Sequence, residues 1–331
     1  MTSKTIDGPF FEDLEIGQVF TEAPAATLTS GMAETHRSIL GERLRLSLDA
    51  PLSNSVTGRE RPLASPSLVW NLAIGQSTLV THNVVANLFY RDLHFKRFPS
   101  LGETLRSTTE VLALRTNRPK PDRPPTGLAL LRIVTDDGNG VPVLDFKRCA
   151  MLPIRKPDSA DRHEDDIHSY SSEPGVAMDL SSVGDWNLEP LMGSSRNNRH
   201  VSVGDRISIR GGDCVTSAPE LARLTLNIAK VHHDVSATDG RRLVYGGHTI
   251  GLALAQTTRA LPNLVTVLGW HSCDHLAPVY EGDTLWSSLV VEGVEPFESA
   301  SVVHLRSLVT ASSEDGRQRN VLRWRFVAVN A

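Results

Sequence analysis

The chain repeats itself over most of its length. GETL at Gly102–Leu105 recurs as GDTL at Gly282–Leu285, 180 residues later. At the same offset PSLVWNLAI (Pro66–Ile74) aligns with GGHTIGLAL (Gly246–Leu254), and both place small or capping residues before apolar residues at helical spacing. Runs rich in Val, Leu and Thr follow each segment and are separated by turn residues. The sequence of 331 residues therefore predicts two copies of one unit, a buried helix followed by antiparallel strands.

The boundaries of the two units follow from the offsets and from composition. Near the start of each copy, EIGQVF (Glu15–Phe20) matches SVGDRI (Ser202–Ile207) at an offset of 187 residues, which predicts a longer loop before the main helix of the first copy. Residues 156–199 are rich in Ser, Asp, Glu, Gly and His and read as a linker. We therefore predict an N-terminal unit at 1–155, a linker at 156–199 and a C-terminal unit at 200–331.

The composition of the chain argues against several classes of function. A net charge of −4 gives no basic excess to neutralise a nucleic-acid backbone, and no apolar run is long enough for a membrane span. The start of the chain lacks the apolar core of a signal peptide, and Cys149, Cys214 and Cys273 do not form a disulfide framework, so we expect a reduced cytoplasmic setting. HSCDH (His271–His275) places three potential ligands on one strand face without a matching second cluster, and no metal is expected.

Two segments of the second copy carry candidate chemistry. In NIAKVHHD, the imidazole of His232 could deprotonate a water that the amide of Asn227 orients, although both histidines of this segment could equally be surface residues. In YGGH, the free N–H groups at Gly246 and Gly247 could stabilise a negative charge at a helix N-terminus, or the glycines could serve only a tight turn. His248 follows in the first helical turn, where a structural role is the alternative.

Together these segments resemble the MaoC-like dehydratase family, and within it the mesaconyl-CoA hydratase (β-methylmalyl-CoA dehydratase) subgroup. The family motif Asp-x-Asn-Pro-x-His falls on Asn227–His232, with the histidine kept and Asn227 in place of the aspartate. The segment Arg242–His248, RLVYGGH, is also similar to the subgroup. The resemblance implies an α+β double hotdog fold, in which each of two antiparallel sheets wraps around a central helix. At an offset of 187, Arg45 stands where His232 stands in the second copy, so the C-terminal unit is expected to keep the active site.

The resemblance also implies an activity, the reversible hydration of an enoyl-CoA thioester, with mesaconyl-CoA as the expected substrate and no cofactor. His232 would act as general base, Asn227 would hold the water, and Gly246 and Gly247 would bind the thioester oxygen. Because Asn227 cannot exchange a proton, either His232 serves alone or a second group assists.

The assisting group would be Asp234 or His248, and Arg45, Arg91 or Arg97 would pair with a substrate carboxylate. Two other readings stay open: a hydratase for a different enoyl thioester, and a non-catalytic subunit that binds acyl thioesters. The family resemblance further predicts a homo-oligomer such as a dimer, with neither nucleic acid nor a membrane as a partner.

Overall fold

The computed structural model describes residues 7–157, 162–170, 178–192, 201–238 and 240–331. The strands are β1 Val19–Phe20, β2 Ala26–Thr27, β3 Ala86–Phe95, β4 Thr104–Thr116, β5 Thr126–Asp136, β6 Pro142–Pro153, β7 Arg206–Ser208, β8 Asp213–Cys214, β9 Leu264–His275, β10 Thr284–Phe297, β11 Ala300–Ser312 and β12 Gln318–Asn330. The α-helices are α1 Ser30–Leu40, α2 Arg45–Leu48, α3 Ala50–Thr57, α4 Pro66–Gln76, α5 Glu189–Met192, α6 Ala218–Leu224 and α7 Gly246–Ala260. The described residues include no helix that is long and apolar enough to cross a membrane.

The strands form one antiparallel sheet that runs through both copies. Its order is β1-β4-β5-β6-β3-β9-β12-β11-β10-β7, with β2 added to β4 and β8 added to β10. The two copies join where β3 pairs with β9, in a register that sets Tyr90 opposite Cys273. The predicted combination of helices and antiparallel strands is confirmed, and the sheet is continuous across the two copies.

The two central helices have the buried character that the repeat predicts. Every residue of α4 is buried, and its first turn is fixed by Ser65 as N-cap and Pro66 in the first turn. The helix α7 buries almost all of its residues and begins at Gly246. Trp70 on α4 contacts Trp270 on β9, with ring centroids 5.0 Å apart, so aromatic packing connects the helix of one copy to the sheet of the other.

Close packing of the helices depends on glycine at one position in particular. A Cβ atom built on Gly75 of α4 would lie 1.7 Å from the carbonyl oxygen of Thr225 and 3.1 Å from the backbone nitrogen of Asn227. The backbone of residues 225–227 therefore rests directly on the helix. Gly75 thus controls the position of the segment that leads into the predicted motif.

The predicted longer connection in the first copy is present as two short helices, α2 and α3, ahead of α4. The predicted linker lies partly outside the described residues, at 158–161, 171–177 and 193–199. Its described portions contribute Ile167, Trp186 and Leu191 to the buried core. The unit boundaries at 155 and 200 stay predictions, and the linker is more than a polar connection because it covers apolar surface.

Candidate active site

A cavity of about 940 Å³ lies between the two copies. The first copy contributes the end of α4, the segment 83–88, Tyr90 on β3 and Arg148 on β6, and the second copy contributes parts of the segments 227–249 and 275–280. A volume of this size is within the range of small-molecule binding sites. The site therefore needs both copies, although its predicted chemical groups come from the second.

His232 lines this cavity from the turn of 3₁₀-helix Lys230–His232 and is 9% exposed. Its Nδ1 lies 2.8 Å from the carbonyl oxygen of Leu243. Since a carbonyl only accepts hydrogen bonds, Nδ1 carries the hydrogen and Nε2 is the basic nitrogen. Burial lowers the pKa of His232 to about 4, against the opposing effect of the Leu243 hydrogen bond. The imidazole is therefore neutral near pH 7 and able to accept a proton.

Asn227 also lines the cavity and is buried. Its Oδ1 accepts a hydrogen bond from the backbone nitrogen of Ala229 at 3.0 Å, and its carbonyl oxygen accepts one from Nε2 of His233 at 2.7 Å. The preceding Leu226 has a φ of 60°, in the left-handed region, and helix α6 has already ended at Leu224. The chain thus turns sharply here, and the asparagine amide is held by the turn that it closes.

The two glycines of the YGGH segment face different neighbours. Gly246 lines the cavity, and a Cβ atom there would lie 2.7 Å from Nε2 of His275. A Cβ atom on Gly247 would instead lie 2.1 Å from Oδ1 of Asn71 on α4, and Tyr245 donates a hydrogen bond from its hydroxyl to the carbonyl oxygen of Asn71. Because Gly246 has no side chain, the first turn of α7 is open to the cavity. The absence of a side chain at Gly247 lets α7 approach α4 closely.

The two predicted assisting residues do not line the cavity. Asp234 is exposed, and its carboxylate caps the turn Val235–Ala237 by accepting a hydrogen bond from the backbone nitrogen of Ser236. A second hydrogen bond, from the Ser236 side chain, is the main cause of the lowered pKa of Asp234. His248 is fully buried, neither ring nitrogen has a partner among the described residues, and burial lowers its pKa to about 4. Neither side chain is placed to exchange a proton with a molecule in the cavity.

The three arginines predicted to bind a carboxylate also lie away from the cavity lining. Arg45, Arg91 and Arg97 each contact other groups of the protein. Their partners are, in that order, the carbonyl oxygen of Leu191, the carboxylate of Asp274, and the carboxylates of Glu103 and Asp137. The placement of a carboxylate clamp on these residues is therefore not supported.

Among the lining residues that were not predicted as site residues are Tyr90, Arg148, Tyr245 and His275. His275 is at the end of β9, its Nε2 is enclosed without a partner among the described residues, and burial lowers its pKa to about 4. Arg148 is 3% exposed. A signal for Arg148 was available, because it follows Leu144 and Phe146 at alternate positions of one strand, and alternate residues share a face of the sheet.

Comparison with known proteins supports the same architecture. No family model matches the chain. A solved structure of a conserved hypothetical protein from Mycobacterium tuberculosis, described as a double hotdog fold, is 50% identical over 98% of this chain and 99% of that chain, with a TM-score of 0.88. A structure from Chloroflexus aurantiacus described as a putative MaoC domain protein dehydratase has a TM-score of 0.82 at 24% identity, covers 99% of both chains, and shows the fold alone.

Two relatives of assigned activity are detected across the full length. Beta-methylmalyl-CoA dehydratase of Chloroflexus aurantiacus is 29% identical over 308 residues, which is 89% of this chain and 86% of that protein. Mesaconyl-CoA hydratase of Cereibacter sphaeroides is 27% identical over 331 aligned residues, which is 95% of each chain. The named relatives are thus hydro-lyases, and the predicted α+β double hotdog fold is confirmed. With a 50% identical relative of this fold, the chain belongs to the double hotdog proteins, and its two relatives of assigned activity are a dehydratase and a hydratase of CoA thioesters.

Proposed function

We propose that the protein catalyses the reversible addition of water to the α,β double bond of an enoyl-CoA thioester. One observation carries this proposal: a buried, neutral His232 whose basic nitrogen is Nε2 lines the same cavity as Gly246 at the start of α7. Hydration needs a base for water and a group that stabilises the thioester oxygen, and His232 and the backbone at Gly246 would supply these two functions. The names of the two relatives further support a carboxylated, branched enoyl-CoA such as mesaconyl-CoA as the substrate.

His232 is the proposed base. Its Nε2 accepts a proton from water while the water oxygen bonds to the β-carbon, and the electron pair of the double bond moves toward the α-carbon and the thioester oxygen. The protonated imidazole then returns a proton to the α-carbon, which completes the addition of one water molecule. Asn227 lacks a titratable group, so its proposed role is to hold the water, and His232 performs both proton transfers.

The first turn of α7 is the proposed site for the thioester oxygen. The N–H groups of Gly246 and Gly247 lack acceptors within the helix, and the positive end of the helix dipole stabilises negative charge. The enclosed Nε2 of His275 faces the same turn beside Gly246. We assign His275 as a second hydrogen-bond donor to that oxygen, a role that a neutral imidazole can fill without changing its charge.

Hydration of a small panel of enoyl-CoA thioesters tests the proposed function. The ultraviolet absorbance of the conjugated thioester falls on hydration, and mesaconyl-CoA is expected to react faster than crotonyl-CoA. Faster reaction of crotonyl-CoA would instead point to a different enoyl substrate. Binding of these thioesters without any change in absorbance would overturn the proposal in favour of a non-catalytic binding subunit.

The His275 assignment predicts a loss of turnover without loss of fold. His275→Phe removes the donor but keeps a ring in the same space, and we expect kcat to fall about 100-fold, the usual effect of deleting one oxyanion donor. KM and the thermal unfolding midpoint should change little. An unchanged kcat would exclude His275 from contact with the reacting thioester.

The lowered pKa of His232 predicts an unusual pH profile. The base must be unprotonated, so kcat/KM should hold its plateau down to about pH 5 and fall below the pKa of about 4. An ordinary imidazole with a pKa of roughly 6.5 would retain only about one tenth of its activity at pH 5.5. Stopped assays with circular dichroism at each pH would separate titration from unfolding. An acid limb near pH 6.5 would contradict the burial-driven pKa.

A further inference from the structure

Arg148 has an unusual environment for a charged side chain. It projects from the middle of β6 into the cavity and is 3% exposed. A guanidinium stays protonated in proteins, so this side chain keeps its positive charge even though burial lowers its pKa. A buried charge is unfavourable unless an opposite charge and hydrogen bonds compensate it. The groups around Arg148 therefore determine whether the protein itself neutralises this charge.

The contacts of Arg148 are polar but carry no full negative charge. Nη2 donates to the carbonyl oxygen of Ser77 at 3.2 Å and to the hydroxyl of Thr81. The hydroxyl of Tyr90 also interacts with the guanidinium, and Tyr245 lies within electrostatic range. Nε has no hydrogen-bond partner in the described part of the chain, nor does any described carboxylate form an ion pair with Arg148. The cavity lining thus contains a buried cation that no described carboxylate neutralises.

We propose that Arg148 binds the free carboxylate of a dicarboxylic acyl group, an inference that rests on the proposed hydratase function. Arg148 and His232 line the same cavity, so one bound acyl group can contact both side chains. A carboxylate beside Arg148 would supply the missing negative charge and accept a hydrogen bond from the guanidinium. An acyl group without a carboxylate would leave the cation buried and unpaired, which penalises uncharged substrates.

The test compares two substrates in several proteins. Wild type, Arg148→Met and Arg148→Lys would be assayed with mesaconyl-CoA and with the analogue in which methyl replaces the free carboxylate. Arg132→Met is the matched control, because Arg132 is an exposed strand arginine that pairs with Asp145. We expect wild type to prefer the carboxylated substrate, and Arg148→Met to lower that preference by about 100-fold in kcat/KM. Arg148→Lys should keep part of the preference, since it retains the charge but loses the planar donor set.

The outcomes separate this inference from the proposed function. Equal losses with both substrates in Arg148→Met would place Arg148 at the thioester or in the fold and would overturn the carboxylate assignment. Equal use of both substrates by wild type would overturn it too, even if Arg148→Met does not fold, while leaving the hydratase function intact. Failure of wild type to hydrate either substrate would overturn the proposed function itself.

Discussion

Replacement of His232 by asparagine is expected to lower kcat by about 10²–10⁴-fold, the usual contribution of a general base. An asparagine amide can still donate a hydrogen bond toward the carbonyl oxygen of Leu243, as Nδ1 of His232 does at 2.8 Å. It has no counterpart of Nε2, so the variant removes the proton acceptor and keeps the local contact. Steady-state kinetics with the best substrate of the panel would measure the loss, and thermal unfolding would verify the fold.

His304→Asn provides the control for this experiment. His304 lies on β11 and pairs with Glu295, outside the cavity lining. The same chemical change there should leave kcat within about twofold, because His304 lies outside the cavity lining. Near-normal turnover of His232→Asn, with the control also normal, would remove His232 from the mechanism and leave the second copy without its proposed base.

Replacement of Gly75 by alanine is expected to destabilise the protein by about 3 kcal/mol or more, at the upper end for overpacked cores. The added Cβ would overlap the carbonyl oxygen of Thr225, at 1.7 Å, and backbone cannot move aside as a flexible side chain can. Relief requires α4 and residues 225–227 to separate, which would also shift Asn227. Chemical denaturation would show a lower midpoint, and any folded fraction should turn over slowly.

Gly31→Ala is the matched substitution. Gly31 is also in an α-helix, but the nearest atom to a Cβ built on it is Oγ1 of Thr29 at 3.8 Å. Alanine there should stabilise the protein by about 0.5–1 kcal/mol, because glycine loses more backbone entropy in a helix. Equal stability of Gly75→Ala and Gly31→Ala would show that the close approach of α4 to residues 225–227 does not limit stability.

The fold was predictable because the sequence contains two copies of the same pattern of helix and strand segments. The paired segments beginning at Pro66 and Gly246 become α4 and α7, and the strand runs after them pair as antiparallel neighbours. The joining of the copies through β3 and β9 was not predictable, since residues 86–95 and 264–275 show apolar content but no marker of their partner. Strand pairing at long separation depends on tertiary packing rather than on local pattern.

The site residues were predictable only where the chemical groups lie close together in the sequence. Asn227, His232 and Gly246 were predicted from adjacent residues, and all three line the cavity. Their roles remain proposals. Arg91 and Arg97 were predicted because they flank a strand expected at the pocket, and Arg45 because it aligns with His232. The cavity lining instead contains Arg148, from a strand whose face was not assigned. A charged residue in phase with buried apolar neighbours would have been the better criterion.

The junction between β3 and β9 also limits how this protein can change over evolution. Tyr90 and His275, which both line the cavity, stand on the two strands that meet there. Since side chains alternate between faces, a slip of one residue in this pairing would turn Tyr90 away from the cavity. Insertions within this pair of strands are thus expected to disrupt the cavity lining. Substrate range should diverge among relatives through substitutions on these two strands, with their lengths and alignment held constant.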